Sequence, residues 1–198
     1  MMRKLTRNDL HSLEHYAEQR PRFREIVLQH KRQRRAPLGE HATLYFEDRL
    51  TVQYQIQEML RAERLFEPAA IQDELDAYNP LIPDGGNLKA TFMLEYEDAE
   101  QRRQALQRLT GIEHRVWIQV EGFDLVWAIA DEDLPRSTEA KTSAVHFLRF
   151  ELTPEMISML NKGAALSMGI DYPEYRVQVD VTSEVRDALL RDFSLENS

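Results

Sequence analysis

AVHFLRFEL, running from Ala144 to Leu152, is the stretch whose reading decides the fold. Taken with a period of two, Ala144, His146, Leu148, Phe150 and Leu152 fall on one side of a strand, and Val145, Phe147, Arg149 and Glu151 on the other. Both sides begin apolar, the pattern of a strand covered on both faces, which places it centrally in a sheet. Its one histidine, His146, then sits among carbon. The polar run-in from Arg136 to Ser143, RSTEAKTS, reads as a loop rich in cations and hydroxyls.

Working outward from this strand, Thr153, Pro154 and Glu155 open a helix that Gly163 closes. A short strand follows at 164–169. Arg176 to Val181 alternates cleanly, with Val177, Val179 and Val181 on one side, so one face is wet and the strand belongs near an edge. A last helix spans Ser183 to Phe193. Upstream, a strand at 90–96 leads to a helix capped by Asp98 and stopped at Gly111. Strands at 115–121 and 125–130 flank Gly122-Phe123-Asp124 as a hairpin, which sets Trp117 beside Trp127.

Before these lies YNPLIPDGGNLKAT, residues 78–91, the longest apparent loop. Its Gly85-Gly86 and Lys89 lack phosphate-loop spacing, and a strand follows in place of a helix. Helical patterns occupy 47–66 and 69–78. At the start, Thr6 or Asn8 caps a helix ending at Arg20, Pro21 begins a second one, and Pro37 with Gly39 makes a break. The expectation is an α+β fold: a largely antiparallel sheet of about five or six strands with the N-terminal helices packed on it. It forms one domain over 1–198, mainly helical through residue 78 and sheet-containing from 79 onward.

The sequence has no cysteine, which removes disulfides, thiolate zinc, a cysteine nucleophile and cysteine-held iron–sulfur clusters from this chain's own repertoire. No apolar run approaches the roughly 20 residues a membrane span needs, and the first residues turn polar at once with no signal-peptide core. The expected location is the cytoplasm, with no membrane partner. Residues 1–37 carry ten Lys/Arg against four Asp/Glu, whereas the whole chain has a net charge of −9. A basic arm before an acidic body can mean nucleic-acid binding. With an acidic chain overall and no nucleic-acid motif present, the arm is read either as attracted to the body or as a solvated helix face.

His146 is the catalytic candidate. An imidazole serves as general base near neutral pH when a carboxylate orients its other nitrogen, and Asp131, Asp133, Glu95 and Glu121 are available. Arg136, Lys141 and Arg149 supply positive charge for a carboxylate or phosphate. The competing reading is a core histidine held by structural partners. Further ligand-binding candidates are Lys89 and the polar ridge of the 47–66 helix, above all Arg49 and Gln57. No metal or cofactor is expected. The alternative is His11-Ser12-Leu13-Glu14-His15, which matches H-x-x-E-H and offers His11, Glu14 and His15 to zinc.

Four segments carry a resemblance through essentially the whole chain: LYFEDRLTVQYQIQEMLRAERLFE (44–67), LDAYNPLIPDGGNLKATFMLEY (75–96), RVWIQVEG (115–122) and DLPRSTEAKTSAVHFLRFELTPEM (133–156). Together they resemble the bacterial family catalogued as domain of unknown function 3501. The His11/His15 pair is not part of that resemblance, which brings no catalytic residues. It implies association with redox or peroxide-stress metabolism, beside rubrerythrin-like or iron–sulfur oxidoreductase proteins. Two functions follow as expectations: a cytoplasmic accessory or interaction protein, with self-association left open, or an enzyme or sensor for a small anionic ligand with His146 as acid/base.

Overall fold

Alternating apolar residues along nine strands build two antiparallel sheets whose inner faces share one core in the computed structural model, which describes residues 3–138 and 140–193. The first sheet is ordered β1 (Arg35–Pro37), β2 (Ala42–Phe46), β3 (Asn87–Leu94), β7 (Val145–Glu151) and β6 (Ile129–Ala130). The second is ordered β5 (Val126–Trp127), β4 (Val116–Val120), β8 (Leu166–Tyr172) and β9 (Tyr175–Asp180). Leu44, Phe46, Leu88, Phe92, Leu148 and Phe150 from the first sheet join Val116, Ile118, Val120, Met168 and Ile170 from the second in that core. The fold is thus α+β and antiparallel, with its strands divided between two sheets where the sequence predicts one. No helix among the described residues is long and apolar enough to cross a membrane.

The pivotal strand behaves largely as read. β7 pairs with β3 along its length, Lys89 facing Arg149 and Phe92 facing His146. Its inner residues His146, Leu148 and Phe150 are buried. The outer ones, Val145, Phe147 and Arg149, are only half-buried, so the second face is partly open and not fully covered. On its far side β7 has only the two-residue β6, which places it next to the rim.

The segment predicted as a single strand at 125–130 serves both sheets. Trp127 pairs with Trp117 in one, Ile129 pairs with Arg149 in the other, and buried Ala128 sits at the crossing. Close packing is visible on the partner strand β8, where a side chain at Gly169 would meet Trp117 and the Val177 carbonyl at 2.4 Å. The β1–β2 pair was not predicted. Pro37 and Gly39, read as a break, belong to a hairpin. Pro37 is tolerated because β1 is an edge strand, and Gly39 takes φ +81° in the turn. The first 78 residues are therefore not helical alone, since they supply two strands of the first sheet.

Six helices are the other main elements among the described residues: α1 (Leu13–Arg32), α2 (Arg49–Glu63), α3 (Pro68–Tyr78), α4 (Ala99–Arg108), α5 (Pro154–Asn161) and α6 (Ser183–Leu190). α1 corrects the expectation of two helices, running unbroken through Pro21 from a Ser12 cap. The Ala17 carbonyl that loses its donor to the proline belongs to an exposed residue, where water can take the donor's place. Thr6 instead caps a short 3-10 turn at Arg7–Asp9. α2 and α3 carry a second apolar cluster, Val52, Ile56, Leu60 and Leu75 with Leu5 and Ile82, on the outer side of the first sheet.

Polar side chains fasten these layers. Arg34, at the end of α1, is buried with Asp192 at 2.5 Å and also donates to the Phe46, Glu47 and Ala188 carbonyls. Glu58 of α2 accepts two bonds from Arg20, both at 2.8 Å, and one from the Tyr16 hydroxyl at 2.7 Å. The Arg20 bonds pull the Glu58 carboxyl down from 4.5 to about 2. A depressed folded-state pKa contributes stability above the ordinary value that is lost as pH falls toward the folded one. Urea denaturation is therefore expected to show stability falling between about pH 4.5 and pH 2. Glu58→Gln should cost about 1–3 kcal/mol at pH 7 and flatten that acid limb; an unchanged limb would contradict the assignment.

Candidate functional site

Asp131 follows β6 directly and takes a left-handed conformation, φ +51°. Its N–H donates to the Phe147 carbonyl at 2.9 Å, and its Oδ1 accepts from the Phe147 N–H at 3.0 Å. Its Oδ2 lies 2.6 Å from His146 Nδ1. On the other side of the ring, Nε2 is 2.8 Å from the Thr142 hydroxyl and 3.1 Å from the Ser143 carbonyl. The Thr142 hydroxyl donates to Glu113 Oε2 at 3.1 Å, and Ser137 bonds to both Thr142 and Glu113. Glu113 comes from the 3-10 turn Ile112–Arg115 that follows Gly111. The result is a closed chain: carboxylate, imidazole, hydroxyl, carboxylate, hydroxyl.

An Asp–His–Thr sequence with both ring nitrogens engaged has the order of a nucleophilic relay. Access decides against that use. His146 is 0% exposed and Thr142 1%, and Glu113 already holds the hydroxyl that an electrophile would have to reach. Glu113, Asp131 and His146 also offer ligand atoms within 4.8 Å of one another, close enough to hold a metal ion. Seating one would require the Thr142 and Asp131 bonds to give way. As built, the cluster clamps both ends of the 131–143 loop to β7, and each buried polar atom has a partner.

Period two sends the next residues of β7 to the opposite side. There Phe147 and Arg149 line a cleft of about 730 Å³ together with Lys89, Arg136, Glu132 and Asp133, facing Glu74, Asp76, Tyr78, Pro80 and Leu81 from α3 and the turn after it. The Arg136 guanidinium lies 4.5 Å from the Phe147 ring centroid, grips Asp133 at 2.5 and 2.7 Å, and reaches Asp131 at 3.4 Å. Arg149 grips Glu132 twice at 2.7 Å and also bonds Glu151. These bonds lower the Asp133 carboxyl to about 2 and raise both guanidiniums. Lys89 donates to the Pro80 carbonyl at 2.5 Å, and burial pushes its ammonium down. Burial, with repulsion from Glu63 and Asp73, pushes Glu74 up.

Of the residues singled out in the sequence, the cleft therefore gathers Lys89, Arg136 and Arg149. It does not include His146, which faces the core and connects to it through Asp131, itself bonded to the Phe147 N–H and to Arg136. Lys141 is exposed on the loop. Arg49 and Gln57 hold the chain's own N-terminal segment: Arg49 meets Asp9 at 2.5 Å, and Gln57 Oε1 accepts from the His11 N–H at 2.6 Å. His11 precedes the cap of α1, so the two histidines of the H-x-x-E-H match do not share a helix; their rings lie 4.8 Å apart. Sequence reasoning missed Glu113 and Glu74. Neither stands in a motif, and each gains its position only when a turn or helix docks on the sheet.

Two packed antiparallel sheets, an outer helical layer and a charged cleft between that layer and the first sheet define the class of protein. The chain belongs to the DUF3501 family, described as proteins of unknown function, whose model matches residues 4–193. A solved structure, a novel protein of unknown function from Burkholderia pseudomallei K96243, is 50% identical, with a TM-score of 0.93 over 97% of this chain and 100% of that one. No curated protein matches.

The clamp carries a direct test. Thr142→Val keeps the shape but leaves Glu113 and His146 each short of a bond, and should cost about 1–3 kcal/mol in urea denaturation. Thr142→Ser should recover most of it. Equal losses in both variants would point to packing as the cause.

Proposed function

We propose that this protein binds a small molecule bearing an anionic group in the cleft over Phe147, and that it acts as a binding or sensing protein and not as a catalyst at His146. The observation that carries this reading is the convergence of Lys89, Arg136 and Arg149 around an aromatic floor in a cleft of about 730 Å³. Clefts of this size suit small ligands, with apolar walls supplying burial and a few polar groups fixing orientation. Two of the cations already hold carboxylates, so Lys89 is the first contact for the ligand, and Arg149 and Arg136 shape the field around it. The Arg136–Asp131–His146 connection gives occupancy of the cleft a route to the loop clamp.

An accessory role beside a rubrerythrin-like or iron–sulfur partner in the cytoplasm, implied by the family resemblance, is compatible with such a protein acting as a ligand-dependent regulator. The site reading does not depend on it.

Isothermal titration calorimetry with 3-phenylpropionate, an anion on an aromatic body, tests the reading. Saturable binding in the millimolar range or tighter is expected. It should weaken at least tenfold in Lys89→Met, about 1.4 kcal/mol, and stay unchanged in Lys141→Met, which lies outside the cleft. Binding that is absent, or equal in Lys89→Met, would overturn it.

A further inference from the structure

The charges lining the cleft do not all cancel, and those left over are of opposite sign. Arg136 is matched by Asp133, and Arg149 by Glu132 and Glu151. Asp76 is exposed and accepts a bond from Gln72. Asp84, which does not line the cleft, accepts from the Gly86 N–H in its own turn. Two groups remain. Among the described residues Lys89 has no carboxylate within ion-pair distance and its one hydrogen bond is to a carbonyl; the acids that attract it from further off, Asp84, Glu132 and Glu151, are each engaged elsewhere, and Arg149 repels it. Glu74 has no cation within that distance, and its charged neighbours, Glu63 and Asp73, are of like sign. Both line the cleft and both are partly withdrawn from water, where an unmatched charge is costly.

Their spacing follows from the backbone. Lys89 is bonded to Pro80, just beyond the end of α3, whereas Glu74 stands one turn back from Tyr78 on the same helix. At about 1.5 Å per residue along α3 and about 2 Å per residue in the 3-10 turn after it, the backbone at Glu74 is offset from that at Pro80 by about 10 Å along the helix axis. Tyr78, Leu81, Met59 and Phe147 provide the apolar surface of that cleft.

Building on the ligand-binding reading above, we propose that the cleft takes a bipolar ligand: an anionic group at Lys89, an ammonium at Glu74, and an extended apolar body between them. An α-amino acid, whose charges sit side by side, would satisfy only one end. An ω-amino acid or a molecule of that form satisfies both.

A chain-length series tests this by calorimetry at pH 7: 3-aminopropanoate, 6-aminohexanoate and 8-aminooctanoate, with hexanoate and hexylammonium as single-charge controls. At least one of the two longer amino acids should bind tenfold or more tighter than either control, and 3-aminopropanoate should gain nothing. Glu74→Gln should abolish that gain while leaving hexanoate affinity unchanged. Hexanoate binding that depends on Lys89, with no gain from the added ammonium, would overturn the bipolar ligand and leave the cleft reading standing. Failure of every probe, 3-phenylpropionate included, would remove both.

Discussion

The register of β7 against β3 is the constraint on which the rest depends. With Phe92 opposite His146 and Lys89 opposite Arg149, alternation assigns the histidine to the inter-sheet core and the cations to the outer face. A slip of β7 by one residue would exchange its two faces, exposing the imidazole and burying Arg149 in the core. The hydrophobic pattern of β7 makes such a slip prohibitive, because Leu148 and Phe150 would leave the core with the histidine. One backbone ladder thus separates a closed hydrogen-bonded cluster from an open charged cleft, with a single strand forming the wall between them.

The two sides use charge differently. Inside, Asp131, His146, Thr142 and Glu113 satisfy one another, which is what makes burying them tolerable and fixes where the 131–143 loop begins and ends. Outside, Arg136 and Arg149 are matched by neighbouring acids, while among the described residues Lys89 and Glu74 have no opposite charge within ion-pair distance. Arg136 belongs to both systems, lying on the Phe147 ring and touching Asp131. That shared residue is the physical reason to expect the loop to respond to what occupies the cleft.

Much of this was legible in the sequence where periodicity was strong. The alternation of AVHFLRFEL gave the strand, the placing of His146 among apolar residues and that of Arg149 on the opposite side, though it read both faces as covered where one is partly open. Asp98 and Thr153 marked helix starts, and Val177, Val179 and Val181 marked an edge strand. What was not legible depended on tertiary context. Pro21 looked like a boundary, but exposure of the facing carbonyl let the helix pass. Pro37 and Gly39 looked like a break, but an edge hairpin accommodates both. The division of 125–130 between two sheets has no local signal, since only the partners of Trp127 and Ile129 reveal it. Among site residues, Arg136 and Arg149 could be grouped, but with His146 and Lys141; that Lys89 joins them instead was not legible, because the wall opposite comes from α3, far away in sequence.

The central claim, that β7 hides its histidine and opens its other face, is tested most directly by mapping histidine acylation in the native protein. Brief treatment with diethyl pyrocarbonate followed by peptide mass analysis should modify His114, whose side chain is 65% exposed, and spare His146, which is 0% exposed. Modification of His146 at a rate similar to His114 while the protein stays folded would place the imidazole in solvent and contradict the account.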